Sequence, residues 1–226
     1  MRALELLGQA LTRDAYYGKA LALAAHCHIR LSGNGWCEDP QRNRQEGVDL
    51  ARRALQAAGD DPNVLVHVAH ALGFFEPDIE PAITLIDRAL DLNPSFAFGW
   101  FIKGWLRLWA GQADVAIELF EKSLRLDPLR KAPATFSIGI AHFFARPLEK
   151  SAAMLLVWAP CLRFLASSYA HLGRLVDARS IVEKLRQITP DLVPSAEHWR
   201  VREDRKFFLD GLRLAVGVAS EEPTGP

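Results

Sequence analysis

The sequence predicts an all-α fold made of consecutive antiparallel helix pairs. Apolar residues recur at i, i+3, i+4 and i+7 in almost every segment, which is the spacing of one face of an amphipathic helix. Short breakers such as Asn93-Pro94 and Asp127-Pro128 separate these stretches, and each suits the end of one helix and a turn into the next. Pro94 and Pro128 lie 34 residues apart, a period that indicates helix-turn-helix repeats.

Composition excludes several classes of protein before any motif is considered. The chain has 226 residues, of which 50% are hydrophobic, and 27 Lys and Arg balance 27 Asp and Glu. Zero net charge provides no global field that would draw the chain to nucleic acid or to an anionic membrane, so we expect no nucleic-acid contact by this region. Three cysteines are too few for a disulfide framework, and the longest apolar stretch is far below the roughly 18 residues of a membrane span. We therefore expect a cytoplasmic protein with no membrane span.

The first elements are three repeat units of unequal completeness. Residues 1–17 contain a partial unit, in which the second helix is present and the first is missing. Residues 18–61 contain a first helix, a long insertion and a second helix from Arg44 to Ala57, and residues 62–96 fold around a shortened turn at Glu76-Pro77-Asp78. A chain that begins in mid-repeat exposes an apolar face, so we expect either a longer natural protein or another segment docked there.

The remaining elements complete the repeat array and close it. Residues 97–130 and 159–194 form two full units, and residues 131–158 form a truncated one between them. Residues 195–218 alternate apolar side chains with Arg, Asp and Lys, which predicts an amphipathic capping helix from Ser195 to Val216. The polar tail, residues 219–226, contains Gly and Pro and is expected to be disordered.

Two of these units resemble tetratricopeptide repeats (TPR) without a gap. The segment from Ala97 to Pro128 matches the family pattern at Trp100, Gly104, Ala116, Phe120 and Pro128. The segment Ala159 to Pro190 fits the same pattern with Leu162, Leu165, Ala166, Tyr169, Gly173, Ala178, Val182 and Pro190. The resemblance implies a right-handed α-solenoid of antiparallel helix pairs that serves as a protein-interaction scaffold.

Local strings resemble a narrower group, the C-terminal repeat region of bacterial class III adenylate/guanylate cyclase proteins and related winged-helix regulators. The strings are Gly35 to Pro40, Ala51 to Leu55, Ala141 to Phe144, Leu165 to Leu175 and Phe208 to Arg213. This resemblance implies a regulatory or oligomerisation module of a bacterial signalling protein. The cyclase or DNA-binding domain itself would lie outside this chain, which we therefore expect not to be an enzyme.

The TPR resemblance also implies which side chains line the inner, concave face. These are first-helix positions, and the unit at 97–130 places an apolar row there. A large exposed apolar patch usually marks a partner site. We therefore predict binding of a protein or peptide segment, or of a second copy in a homodimer. In the alternative, the insertion near Trp36 or the terminal cap covers this row. The predicted groove residues are Phe98, Phe101, Trp105, Leu108, Trp109, Val66, His70, Phe74, Arg163, Ser167 and His171, with Asn63 beside them.

Catalytic and metal-binding patterns in the sequence have simpler structural explanations. His26-Cys27-His28 places ligand types together, but residues two apart on a helix point to different faces, which favours scattered surface histidines. Ser167, Ser168 and His171 share one helix without a nearby acid, which favours surface positions over a nucleophilic triad. Gly33-Asn34-Gly35 lacks a phosphate-binding motif and is expected to be a loop tip. We predict no catalytic residues, no metal and no cofactor.

Overall fold

The structure is a computed structural model that describes residues 2–156 and 161–218. Regular secondary structure in these ranges is helical. The expected disordered tail and the Ala159-Pro160 junction lie outside the described residues. The α-helices are α1 Arg2–Arg13, α2 Gly18–Asn34, α3 Pro40–Ala58, α4 Pro62–Phe75, α5 Glu80–Leu92, α6 Ala97–Trp109, α7 Ala113–Leu126, α8 Lys131–Ala145, α9 Leu148–Leu155, α10 Leu162–His171, α11 Leu175–Arg186 and α12 Arg202–Val216, with a 3-10 turn at Pro128–Arg130.

The chain divides into two compact units. Unit 1 contains residues up to Arg107 together with Leu119–Pro128, and unit 2 contains Leu108–Glu118 together with the residues from Leu129 onward. In unit 1, α2 pairs with α3 and α4 with α5, while α1 packs on α2. In unit 2, α8 pairs with α9 and α10 with α11, and α12 packs on α10 and α11. None of the helices within 2–156 and 161–218 is long and apolar enough to cross a membrane.

The long insertion expected between the two helices of the repeat at residues 18–61 is absent, because α2 and α3 are joined by a short connection. Helix α2 runs through Gly33 and Asn34 and ends at Gly35, which adopts the left-handed conformation with φ of 69°. Helix α3 begins at Pro40, because the carboxylate of Asp39 accepts a hydrogen bond from the Arg42 amide and proline suits the first helical turn. Gly33 is therefore helical rather than part of a loop tip, and residues 35–39 form the whole connection.

The capping helix starts later than the sequence pattern predicts. Residues 195–201 are not helical, and Ala196 has φ of 57°. Trp199 in this segment is buried, with its ring 4.2 Å from that of Phe144 and 5.8 Å from that of Phe164. Helix α12 follows at Arg202, where an acidic first turn complements the helix dipole. The residues predicted to form the first turns of the capping helix instead form an irregular segment that buries Trp199.

Close helix packing within a repeat depends on one small residue facing one large residue. A Cβ atom placed on Gly104 of α6 would lie 2.5 Å from the Phe120 ring of α7. The Phe120 side chain is fully buried. Ser123 of α7 reinforces this pairing, because its hydroxyl donates a 2.7 Å hydrogen bond to the Ala97 carbonyl oxygen. Gly104 and Phe120, two positions at which this segment matches the repeat pattern, are thus in direct contact between the two helices.

Candidate functional site

An aromatic row lies on α6 within unit 1. It consists of Phe98, Phe101 and Trp105, whose spacing of three and four residues places them on one helix face. The Phe98 and Phe101 ring centroids are 6.3 Å apart, and those of Phe101 and Trp105 are 6.4 Å apart. All three side chains are half-buried. The buried Phe120 ring of α7 packs against the row, with its centroid 5.5 Å from that of Phe101 and 5.8 Å from that of Trp105.

The last two members of the predicted apolar row are buried. Leu108 and Trp109 are 1% and 4% exposed, and both belong to unit 2. The Trp109 ring contacts that of His198 at 5.7 Å, and the Trp109 carbonyl oxygen accepts a 2.9 Å hydrogen bond from the Arg200 amide. The segment preceding α12 therefore packs on the end of α6. Phe98, Phe101 and Trp105 remain as the partly accessible members.

Helix α4 places its predicted groove residues at different depths. Asn63 is exposed at the start of the helix, whereas Val66 is fully buried in the unit 1 core. His70 is 8% exposed, and the half-buried Phe74 packs its ring 5.1 Å from that of Phe75. Val66 therefore contributes to packing, while Phe74 is the most accessible apolar member of the predicted groove on this helix.

Three imidazoles from α2 and α4 meet beside the aromatic row and form the histidine cluster, His26, His67 and His70. The Nδ1 atoms of His26 and His70 are 3.2 Å apart, and the His26 ring centroid is 5.1 Å from those of both His67 and His70. The His67 ring also lies 5.2 Å from that of Phe98. His26 and His67 are half-buried. The cluster and the aromatic row therefore form one continuous ring-lined surface in unit 1.

Burial keeps the histidine cluster uncharged at neutral pH. Desolvation, with smaller contributions from His67 and Arg30, lowers the pKa of His26 from 6.5 to about 4. Desolvation lowers the pKa of His67 to about 4 as well, and burial beside His26, His67 and Arg30 holds the pKa of His70 well below its usual value. The three rings are therefore neutral hydrogen-bonding groups rather than a cationic patch.

In unit 2, α12 covers two of the predicted groove residues of α10, Ser167 and His171. Ser167 is fully buried, and its hydroxyl donates a 3.1 Å hydrogen bond to the Phe208 carbonyl oxygen. His171 donates from Nε2 to the Phe207 carbonyl oxygen at 2.8 Å. The guanidinium of Arg163 donates to the Asp191 carbonyl oxygen at 2.5 Å. Helix α12 therefore occupies the α10 face at Ser167 and His171.

Two polar side chains that were expected at the surface, Ser168 and His28, are buried. Ser168 is fully buried and bonds the Phe164 carbonyl oxygen at 2.8 Å within its own helix. His28 is 6% exposed, because its Nδ1 donates to the amide oxygen of Asn43 on α3 at 2.8 Å. His26 instead faces α4, so His26 and His28 do point to different sides of α2 as expected. Helix pairing, which the sequence of one segment does not specify, buries these groups.

Comparison with known proteins bears on the fold. The crystal structure of TTC0263, a thermophilic TPR protein from Thermus thermophilus, superposes with a TM-score of 0.57 at 18% identity, over 84% of this chain and 99% of that chain. A TPR protein from Parabacteroides merdae gives 0.56 at 16% identity, over 97% of this chain and 86% of that chain. The predicted all-α TPR-like fold class is thereby confirmed. No family model and no curated protein matches the chain.

Proposed function

We propose that this chain is a protein-interaction module that binds a partner segment on the ring-lined surface of unit 1. The observation that carries the proposal is the half-buried aromatic row of Phe98, Phe101 and Trp105. Large aromatic side chains are frequent anchors of protein interfaces, because they bury much area at a small cost in conformational entropy. Their partial exposure leaves area that a partner can remove from water.

The electrostatics of this surface favour an apolar partner segment. The neighbouring imidazoles of His26, His67 and His70 are neutral at pH 7, so the centre of the surface carries no fixed charge. Neutral imidazoles can still exchange hydrogen bonds with peptide groups. The bound segment therefore presents aliphatic or aromatic side chains to the row, with its backbone near the histidines.

Peptide display tests this proposal directly. A random-peptide library is selected against the whole chain, and the enriched peptides are measured on Trp105→Ala and Phe101→Ala variants. Loss of a hot-spot side chain costs about 2 kcal/mol or more, so affinity falls at least about tenfold. Val176→Ala is the matched control, because Val176 is 81% exposed on α11 and belongs to unit 2. Equal affinity for the wild type and both aromatic variants would remove the row from the interface.

A second copy of the chain is the other occupant that the aromatic row can accept. Self-association through this row predicts a dimer mass in sedimentation analysis of the wild type. The Phe101→Ala and Trp105→Ala double variant then sediments as a monomer, while Val176→Ala stays dimeric. A monomeric wild type would exclude the homodimer and leave a heterologous peptide as the partner.

The finer part of the proposal is a non-enzymatic, cytoplasmic role in bacterial signalling. The signalling role rests only on local strings such as Gly35 to Pro40 and Leu165 to Leu175, which resemble the repeat region of class III cyclase proteins. Winged-helix regulators are the alternative parent class. Sequencing the gene upstream of codon 1 distinguishes them, because either a cyclase domain or a winged helix would adjoin this region. An independent upstream gene of another class would contradict both.

A further inference from the structure

Arg30 on α2 is an exposed cation at the edge of the ring-lined surface of unit 1. It follows His26 by four residues, so both side chains lie on the same face of the helix. The His26 ring lies 6.4 Å from the ring of Phe98 in the aromatic row, measured between centroids. Arg30 therefore adjoins the histidine cluster, which connects it to the aromatic row.

The positive charge of Arg30 acts on two members of the histidine cluster. Burial is the main cause of the low pKa of His26 and of His70, and the Arg30 charge lowers the pKa of both further. Within the described ranges, no carboxylate contributes to the pKa of His26, His67 or His70. The formal charge that acts on this part of the surface is therefore positive.

Neighbouring carboxylates do not neutralise Arg30. The α2 residues one turn before and one turn after it include no Asp or Glu. Asp61, at the start of α4, pairs with Lys19 at 3.2 Å, and Glu76, at its end, pairs with Arg52. No ion pair within residues 2–156 and 161–218 includes Arg30. The guanidinium therefore keeps its N–H donors available to a partner.

Binding of an apolar segment to this surface changes the surroundings of Arg30. The segment removes water from the neighbouring rings, and a charge that loses water is costly unless an opposite charge pairs with it. A guanidinium presents its donors in a planar fork that matches the two oxygens of a carboxylate. A Lys or Arg side chain of the partner would instead be repelled. Charge complementarity therefore favours an acidic side chain in the partner.

We propose that the partner segment carries an Asp or Glu side chain that pairs with Arg30 while its apolar side chains contact the aromatic row. This inference rests on the proposed function, because it concerns the partner of the same surface. One helical turn separates Arg30 from His26 by about 6 Å, and His26 is 6.4 Å from Phe98. An extended chain covers this distance in about three or four residues, which sets the spacing between the acid and the anchor at Phe98.

Synthetic peptides measure the preference for an acid on the full chain. Each peptide is acetylated and amidated at its ends and carries the apolar anchors found by peptide display. The position about three or four residues from the anchor holds Glu, Gln or Lys. We expect the wild type to bind the Glu peptide about three- to tenfold more tightly than the Gln peptide, and the Lys peptide most weakly. Because both ends are blocked, the acid can only be a side chain.

Substitutions of Arg30 test which residue recognises the acid. Arg30→Gln should bind the Glu and Gln peptides with equal affinity, and Arg30→Glu should prefer the Lys peptide to the Glu peptide. Arg125→Gln is the matched control, because Arg125 is exposed on α7 in unit 1 and its loss changes the net charge equally. Raising NaCl from about 0.1 M to about 1 M should reduce the preference of the wild type for Glu, since the Debye length falls from about 10 Å to about 3 Å.

The outcomes distinguish this inference from the proposed function. Peptides that require Trp105 but bind equally well with Glu and with Gln would overturn the acidic contact and leave the aromatic row as the interface. A preference for Glu that persists in Arg30→Gln would overturn the assignment to Arg30. If no peptide depends on Trp105, the proposed function fails and this inference fails with it. Thermal unfolding is the folding control, and each variant should keep the wild-type Tm because both arginines are exposed.

Discussion

The imidazole of His171 on α10 lies flat against the phenyl ring of Phe207 on α12. Their centroids are 3.8 Å apart and their planes are within 3° of parallel. The guanidinium of Arg146 lies 4.0 Å from the same phenyl ring and forms a 2.8 Å ion pair with Asp204. The Phe207 ring thus has an imidazole neighbour from α10 and a cationic neighbour from the end of α8. These contacts hold α12 against the helices of unit 2.

Removing the His171 ring should loosen α12. His171→Ala loses both the stacking contact and the 2.8 Å hydrogen bond to the Phe207 carbonyl oxygen. Together these are worth about 2 kcal/mol. Hydrogen exchange of the α12 amides should accelerate at least about tenfold. His171→Phe keeps the stacking contact and should show a smaller change. Unchanged α12 protection in His171→Ala would show that other contacts hold the helix.

The stability of the chain should fall as the pH decreases from 6.5 toward 4. Burial lowers the pKa of His26 and His67 from 6.5 to about 4, so in this window the unfolded chain binds protons that the folded chain does not. The stabilisation is complete above pH 6.5 and is lost progressively as the pH falls toward 4. Each histidine contributes a slope of up to about 1.4 kcal/mol per pH unit.

Denaturant unfolding of the wild type and His67→Phe between pH 5 and 7 measures this slope. Carboxylates stay largely ionised in that range, so they contribute little to the difference. We expect a smaller decrease of the free energy of unfolding in His67→Phe than in the wild type. If the free energy of unfolding depends on pH equally in both proteins, the pKa of His67 does not contribute to this dependence.

Two glycine substitutions in helices should have opposite effects. Gly104→Ala places a methyl group 2.5 Å from the buried Phe120 ring and should destabilise unit 1 by about 1–3 kcal/mol. Gly8→Ala on α1 meets no atom within 4 Å and should stabilise the chain by about 0.5–1 kcal/mol through helix propensity. Thermal unfolding of both variants provides the measurement. A neutral Gly104→Ala would show that α6 and α7 can separate without loss.

The polar network between α2 and α3 should be sensitive to one amide. Asn43 accepts from Nδ1 of His28 and donates to the His28 carbonyl oxygen at 3.0 Å and to the Ser32 hydroxyl at 2.8 Å. Asn43→Ala leaves the buried His28 nitrogen without this acceptor, which costs about 1–3 kcal/mol. Asn34→Ala is the control, because its amide bonds the Arg30 carbonyl oxygen within one helix. Equal free energies of unfolding in both variants would argue against the network.

The repeat period is sufficient to predict most of the fold. Breakers such as Asn93-Pro94 and Asp127-Pro128 separate α5 from α6 and end α7, because proline and turn residues act locally. Periodicity alone misplaces two helix starts. Helix α3 begins at Pro40 rather than at Arg44, because Asp39 caps it. Helix α12 begins later than predicted, because Trp199 is buried in tertiary contacts that periodicity does not reveal.

The candidate site is only partly predictable for the same reason. The aromatic row follows from the spacing of Phe98, Phe101 and Trp105 on one helix, and whether it binds a partner stays a prediction. The histidine cluster joins His26 to His70 across 44 residues, so it depends on how α2 packs on α4. The sequence signal for this cluster is a histidine on the first helix of each of two successive repeats, residues 18–61 and 62–96. Only the packing of α2 against α4 shows that these histidines are in contact.

The C-terminal position of α12 has a consequence for biosynthesis. The α10 face of unit 2 ends at His171, yet it is completed by Phe207 and Phe208, more than thirty residues later. A ribosome adds about 5–20 residues each second, so the α10 face, complete at His171, stays open to solvent for roughly 2–7 seconds before Phe208 is made. Unit 1, whose last residue is Pro128, can finish folding while α12 is still being translated.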